Sequence, residues 1–415
     1  MMQRKRRAVL RTALAFPAMG LARLTIGDAR AQSSPPEAMP PSAPALDDSG
    51  RAIDAPARDF YPYRGISGPG FPVTDASAVG GWVSGGPGVR YQGPQPMSYP
   101  TLPWQADSTG SAVTLGLIPP IRPLLDVHIR DTIICLGGDG HYYMTGSTGD
   151  NIWKFNDGVE LWRSPDLVKW DYLGLVWSIE RDGVWEKQWR ARQGVPFRAL
   201  WAPEIHYLRG NYFICHSMSR SGLAILKSTT GKPEGPYVHA FSPEKHLRKG
   251  IDATLFEDDD GSVWFTYGSA DEIVRLKDDL SGYAEDWRPV KFETPDHDPS
   301  HHRQQCEKKG WNDLGYEGAS IFKRRGLYYL CVVDRFDDRY SFAISTSKKI
   351  DGPYRGRREG IACAGGGNFF RDKGGQWWTT FFGNDAQSPF REKPGIIPVD
   401  FDAQGNVRVM RKPVR

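Results

Sequence analysis

The stretch Arg130-Asp131-Thr132-Ile133-Ile134-Cys135-Leu136, then Gly137-Gly138-Asp139-Gly140, then His141-Tyr142-Tyr143-Met144-Thr145-Gly146-Ser147 decides the fold. A short β-branched run, a turn containing Asp-Gly and an aromatic run make a β-hairpin, because Gly accepts φ > 0. The turn and second strand recur as Gly210-Asn211-Tyr212-Phe213-Ile214, Gly261-Ser262-Val263-Trp264-Phe265, Gly326-Leu327-Tyr328-Tyr329-Leu330 and Gly375-Gln376-Trp377-Trp378-Thr379. From Gly140 onward the Gly-to-Gly spacings are 70, 51, 65 and 49 residues. A second element repeats too: Ser228 to Gly235-Pro236-Tyr237, and Ser345 to Gly352-Pro353-Tyr354. Units of this length, each with room for about four short strands, predict an all-β, five-bladed β-propeller over residues 121–415. A pair of β-sandwiches is the alternative, and regular repetition favours the propeller.

Outward from the repeats, residues 57–120 are dense in Gly, Pro, Tyr and Ser and read as an irregular segment packing on the propeller. Residues 32–56 are rich in Pro, Ser, Ala and Asp and read as a disordered linker, since such a composition buries no core. Residues 1–31 read as an export signal resembling the twin-arginine type. Lys5-Arg6-Arg7 precedes a mostly apolar stretch, and Ala29-Arg30-Ala31 offers a cleavage site. No later run is long and apolar enough to span a bilayer. The net charge of +4 is small and interspersed, which excludes a nucleic-acid stripe and an acidic tail. The 14 Trp and 17 Tyr suit both β structure and stacking on sugar rings. The 5 Cys have no CxxC pair and read as reduced thiols rather than a disulfide framework.

Three carboxylates share one offset. Asp131, Asp252 and Glu317 each lie nine residues before a repeat Gly (Gly140, Gly261 and Gly326). Equivalent positions near the start of a blade's first strand converge on the central channel. Acids gathered there shift one another's pKa values, which is how acid and base roles are separated. Four other residues are candidate sugar contacts. Trp201 can stack on a ring beside Glu204, which can bind hydroxyls, and Asn368 and Arg391 lie in Gly- and Pro-rich turns.

The hairpin 130–147 resembles the first blade of glycoside hydrolase family 43. Ser164-Pro165-Asp166-Leu167-Val168-Lys169-Trp170 is similar to that family's following strand, and Trp201-Ala202-Pro203-Glu204-Ile205-His206 to its second-blade motif. Ile251-Asp252-Ala253 and Glu317-Gly318-Ala319-Ser320-Ile321 resemble its third and fourth. The resemblance implies Asp131 as general base, Glu317 as general acid, and Asp252 as the group that positions Glu317 and keeps its pKa raised. Inverting hydrolysis of this kind needs no cofactor, only two carboxyl groups far enough apart to admit a water. Two departures stand out. Thr132 and Ala253 follow the acids where the family has Pro. In the fifth blade, Ala364-Gly365-Gly366-Gly367-Asn368 has no His, the residue through which many members hold an axial metal such as calcium. No metal ligand is therefore assigned.

The expected activity is an inverting glycosidase acting on terminal or side-chain sugars of plant or algal polysaccharides or oligosaccharides, in the manner of arabinofuranosidases and xylosidases. One alternative is a hydrolase of galactan-derived oligosaccharides resembling the neoagarooligosaccharide hydrolases, in which a His is the acid. His297, His301 and His302 lie in an insertion that can supply one. Another is a catalytically silent glycan-binding propeller, which has no need of all three acids. A sucrose-type fructosyl-transferring propeller lacks its motifs here. A saccharide is the only partner expected, with neither nucleic acid nor membrane; the sequence is silent on oligomeric state. N-terminal sequencing of exported protein should find Gln32 first; an intact Met1 would refute the signal.

Overall fold

The computed structural model describes residues 123–148, 156, 158–188, 199–218, 222–293, 314–336, 339–384, 388–390 and 392–410. The expected signal, linker and irregular segment, together with Arg391, Cys306 and the three insertion histidines, lie outside these residues.

The repeats fold as five four-stranded antiparallel sheets, each contiguous in sequence. Blade one holds β1 (Ile129–Leu136), β2 (Tyr142–Thr148), β3 (Gly158–Ser164) and β4 (Asp171–Ser178). Blade two holds β5 (Leu200–Leu208), β6 (Asn211–Met218), β7 (Leu223–Ser228) and β8 (Tyr237–His239). Blade three holds β9 (Ala253–Glu257), β10 (Val263–Tyr267), β11 (Glu272–Arg275) and β12 (Arg288–Pro289). Blade four holds β13 (Glu317–Arg324), β14 (Leu327–Phe336), β15 (Arg339–Ser347) and β16 (Arg355–Glu359). Blade five holds β17 (Phe369–Arg371), β18 (Trp377–Phe381), β19 (Gly395–Phe401) and β20 (Val407–Val409). The expected five-bladed propeller is the architecture found.

Its cores lie between blade faces. Trp177 and Val159 of blade one pack with Leu200 and Ile214 of blade two. Phe213 packs with Phe265 across blades two and three, and Trp264 with Leu330 across blades three and four. Blades one, four and five share the remaining core through Trp162, Phe342 and Trp378. A buried Trp removes ~150–250 Å² from water, roughly 4–6 kcal/mol before chain entropy is counted. The recurring Gly-Pro-Tyr element plays one role twice. The Tyr237 hydroxyl donates to Pro233 O at 2.7 Å, and that of Tyr354 to Ile350 O at 2.9 Å. The four described cysteines are free thiols.

The ring closes between blades five and one. Asn368 Nδ2 donates to Ile134 O at 2.9 Å, and its Oδ1 accepts from Ile134 N at 3.2 Å. Backbone bonds from Leu124 N to Pro394 O and from Ile129 N to Glu392 O extend the seam.

Between blades one and two, one carboxylate is buried against two imidazoles. Glu186 Oε1 lies 2.9 Å from His239 Nε2 and 3.3 Å from His216 Nε2. Burial acts to raise the Glu186 carboxyl, but bonds from His216 and His239 outweigh it and hold the group at about 2. A depressed carboxylate stabilises the fold fully above its unfolded value near 4.5 and loses that contribution as pH falls toward about 2. Glu186→Gln should therefore cost about 1–3 kcal/mol at pH 7, and its gap from wild type should narrow as pH drops below about 4.5. Chemical denaturation at pH 7 and pH 3 checks this; an unchanged gap refutes it.

Candidate active site

One backbone feature recurs in, or just before, the inner strand of every blade. Asp131, Ala202, Asp252, Gly318 and Gly366 have φ of 50°, 42°, 56°, 65° and 71°. In β1, β5 and β13 the ladder slips there: Arg130 pairs with Ser147 and Ile133 with Thr145, Trp201 with Ser217 and Glu204 with Cys215, Glu317 with Val333 and Ser320 with Cys331. These are bulges, which kink a strand and re-aim its side chains.

The bulges correct the reading of three equivalent carboxylates. Asp131 holds the bulge position itself and Asp252 shares its positive φ, but Glu317 stands one residue ahead of its own blade's bulge, where blade one has Arg130 and blade two Trp201. The shared offset of nine reflects hairpin length. Blades one and three turn through longer loops, between Leu136 and Tyr142 and between Glu257 and Val263, whereas blade four uses only Arg325-Gly326.

The three acids nevertheless come together. Asp252 Oδ2 accepts the Gly318 N–H at 2.9 Å, tying the third blade's acid to the residue after Glu317. Burial first, then the charges of Glu317 and Asp131, push Asp252 well above the usual carboxylate range. Asp131 is also raised by burial, against the lowering effects of the Arg130 guanidinium and a bond from Ser147 Oγ at 2.7 Å. Ser147 Oγ in turn accepts the Ala202 N–H at 2.7 Å, linking base candidate and second blade. Arg130 is fixed by Glu392 Oε1 at 2.7 Å and Asn384 Oδ1 at 3.1 Å, with its guanidinium 4.3 Å from the Phe382 ring centre. Glu317 Oε1 accepts from the Tyr340 hydroxyl at 2.9 Å.

Of the expected sugar contacts, Trp201 lies half-buried at the pre-bulge position. Glu204 is buried, 3.0 Å from His206 Nε2, and its charge reaches both Asp131 and Asp252. Asn368 is not brought to the acids by any of its bonds: both its amide atoms serve the seam to Ile134. Sequence reasoning missed Arg130, Ser147 and Tyr340. Arg130 and Ser147 were in the opening stretch, next to Asp131 and opposite it, whereas no motif flagged Tyr340.

The fifth-blade run Ala364 to Asn368 has no imidazole to offer the family's axial metal. A side chain at Gly366 would collide with Phe382 and crowd Tyr340, so rings fill that place. Among the described residues no group of three His, Cys, Asp or Glu is arranged to hold an ion.

A family profile, Glycosyl hydrolases family 43, matches residues 121–407. The chain belongs to this family. Its members are inverting glycoside hydrolases, and so is this enzyme. It is 26% identical over 290 residues to an extracellular exo-α-(1→5)-L-arabinofuranosidase of Cellvibrio japonicus, covering 63% of this chain and 75% of that one. A β-D-galactofuranosidase of Aspergillus niger is 29% identical over 209 residues, covering 46% and 53%. An extracellular endo-α-(1→5)-L-arabinanase of Bacillus subtilis is 26% identical over 261 residues, covering 59% and 73%. In fold the chain resembles an endo-1,4-β-xylanase from Bacteroides thetaiotaomicron, with TM-score 0.51, 22% identity and coverage of 69% and 95%. No helix among the described residues is long and apolar enough to cross a membrane.

The Ser147 bond favours ionised Asp131. Ser147→Ala should therefore move the acid limb of the pH–activity profile upward by up to about one unit, with the alkaline limb unmoved. An unmoved acid limb would separate Ser147 from the base.

Proposed function

We propose that the enzyme is an exported, exo-acting glycosidase that removes terminal or side-chain pentofuranose or pentopyranose units, arabinofuranose first, with Asp131 as base, Glu317 as acid and Asp252 as the group that separates them. The carrying observation is the meeting of the three carboxylates through Gly318 N–H and their mutual charges. Export is supported by the amino-terminal pattern and by the two extracellular relatives. The sugar is supported by the arabinan-cleaving and xylosidase relatives.

The chemistry follows from electrostatics. Ionised Asp131 takes a proton from water as that water attacks the anomeric carbon. The proton on Glu317 passes to the departing glycosidic oxygen. Asp252 lies beside Glu317, so ionising both is costly and one proton stays on that side of the channel. Arg130 favours the negative charge that Asp131 needs.

A panel of aryl glycosides and purified oligosaccharides tests the sugar, and arabinofuranosides should be cleaved best. Asp131→Ala should lose about 10²–10⁴-fold in kcat with the fold intact. NMR should show inverted configuration in the first product. Glu317→Gln should keep far more activity on an aryl glycoside with a good leaving group than on a natural one, since such a group needs little protonation. Equal loss on both substrates would remove Glu317 from the acid role.

A further inference from the structure

The fifth-blade run Ala364 to Asn368, where the family's His is missing, has no part in the chemistry above. Its glycines make a slot. A Cβ on Gly365 would stand 3.0 Å from Tyr340 Cδ1, and one on Gly366 would stand 3.2 Å from Tyr340 Cε1 and collide with Phe382. Tyr340, 4% exposed, fills that slot. Its ring meets Phe382 edge-on at 5.7 Å and Tyr316 at 6.5 Å, and Arg335 lies 5.6 Å from its centre. Walls on these sides fix where the hydroxyl points, and it points at Glu317 Oε1, 2.9 Å away.

We propose that Tyr340 is a positioning residue for Glu317: seated in the Gly365–Gly366 slot, its hydroxyl pins Oε1, so that Oε2 is the oxygen that carries and delivers the proton. This rests on Glu317 being the acid. The step balances within the proposed reaction: the Oε2–H bond breaks, the proton goes to the glycosidic oxygen, and the carbon–oxygen bond's electron pair leaves with that oxygen. Tyr340 keeps its own proton throughout. Burial, then the Glu317 charge, holds its hydroxyl well above the ordinary phenol range, so it only donates. The groups around Glu317 are Asp252 before β9, Arg130 from β1, Tyr340 from β15, and Tyr316 and Arg335 flanking it on blade four. Tyr340 and Tyr316 are the neutral hydroxyls in that set, and Tyr340, bonded to Oε1, can orient the carboxyl without binding it as a fixed counter-ion.

A hydrogen bond to a carboxylate is stronger than one to the neutral acid, so removing it favours the protonated form. Tyr340→Phe keeps the ring and removes only the hydroxyl, and the half-buried Glu317 remains reachable by water. The alkaline limb of the kcat profile should rise by roughly half to one pH unit. kcat on a natural glycoside should fall roughly tenfold at neutral pH, while an aryl glycoside with a good leaving group stays within about twofold and KM holds on both. The melting temperature should stay within a few degrees. Independently of any substrate, the ¹³C carboxyl resonance of Glu317 should titrate higher in Tyr340→Phe. Equal losses on the two substrates, or an unmoved limb and resonance, would leave Tyr340 as mere packing and overturn the proposal. Glu317→Gln assayed on the same pair separates the two ideas: if it shows no leaving-group dependence, the acid assignment itself has failed.

Discussion

A left-handed residue in, or just before, the first strand of each blade is the constraint on which this molecule depends. For a side chain with a Cβ that conformation costs about 1–3 kcal/mol, and Gly avoids it. Blades four and five use Gly318 and Gly366, whereas blades one, two and three carry Asp131, Ala202 and Asp252 in the same strained geometry. Fold stability alone would favour Gly everywhere. Two of the three exceptions are carboxylates of the channel, which is where strain is expected when a side chain's direction matters more than local comfort.

The strain persists because neighbouring blades hold it. Ala202 N–H is satisfied by Ser147 of blade one and Gly318 N–H by Asp252 of blade three. The bulges that place the acids thus also supply donors to the preceding blade. Behind them, apolar faces packed between every sequential pair of blades leave little freedom for one inner strand to shift against the next. The Asn368 clasp does the same at the seam, where the last blade must meet the first with no covalent continuity.

Much of this was legible in the sequence. Strand periodicity and Gly-punctuated turns are local signals, so the five blades and their order could be read directly. The acids were found for a reason that was partly wrong: a count to the turn glycine cannot see that blade four has a tighter hairpin and a longer ladder. From sequence Asn368 reads as a candidate sugar contact, because a polar residue in a Gly-rich turn looks alike whether it meets a ligand or a neighbouring backbone. Tyr340 was invisible because it reaches Glu317 from 23 residues downstream and depends on a slot in another blade. Such contacts are three-body facts, and no spacing within one strand encodes them.

The proposed separation of roles among the three acids is likewise a property of the assembly. By chemistry alone Asp131 and Asp252 are identical, and they share the same left-handed backbone conformation. What differs is the company each keeps. Asp131 has the Arg130 guanidinium and the Ser147 hydroxyl, while Asp252 has the Gly318 N–H as its donor and Glu317 as a like-charged neighbour. Protons in such a set belong to the group rather than to one residue, and they settle where charge is least welcome. Here that is the Asp252–Glu317 pair, since Arg130 acts more strongly on Asp131 than on Glu317. Since Glu392 and Asn384 fix Arg130 from the fifth blade, the proposed division between base and acid depends on ring closure as much as on the acids themselves.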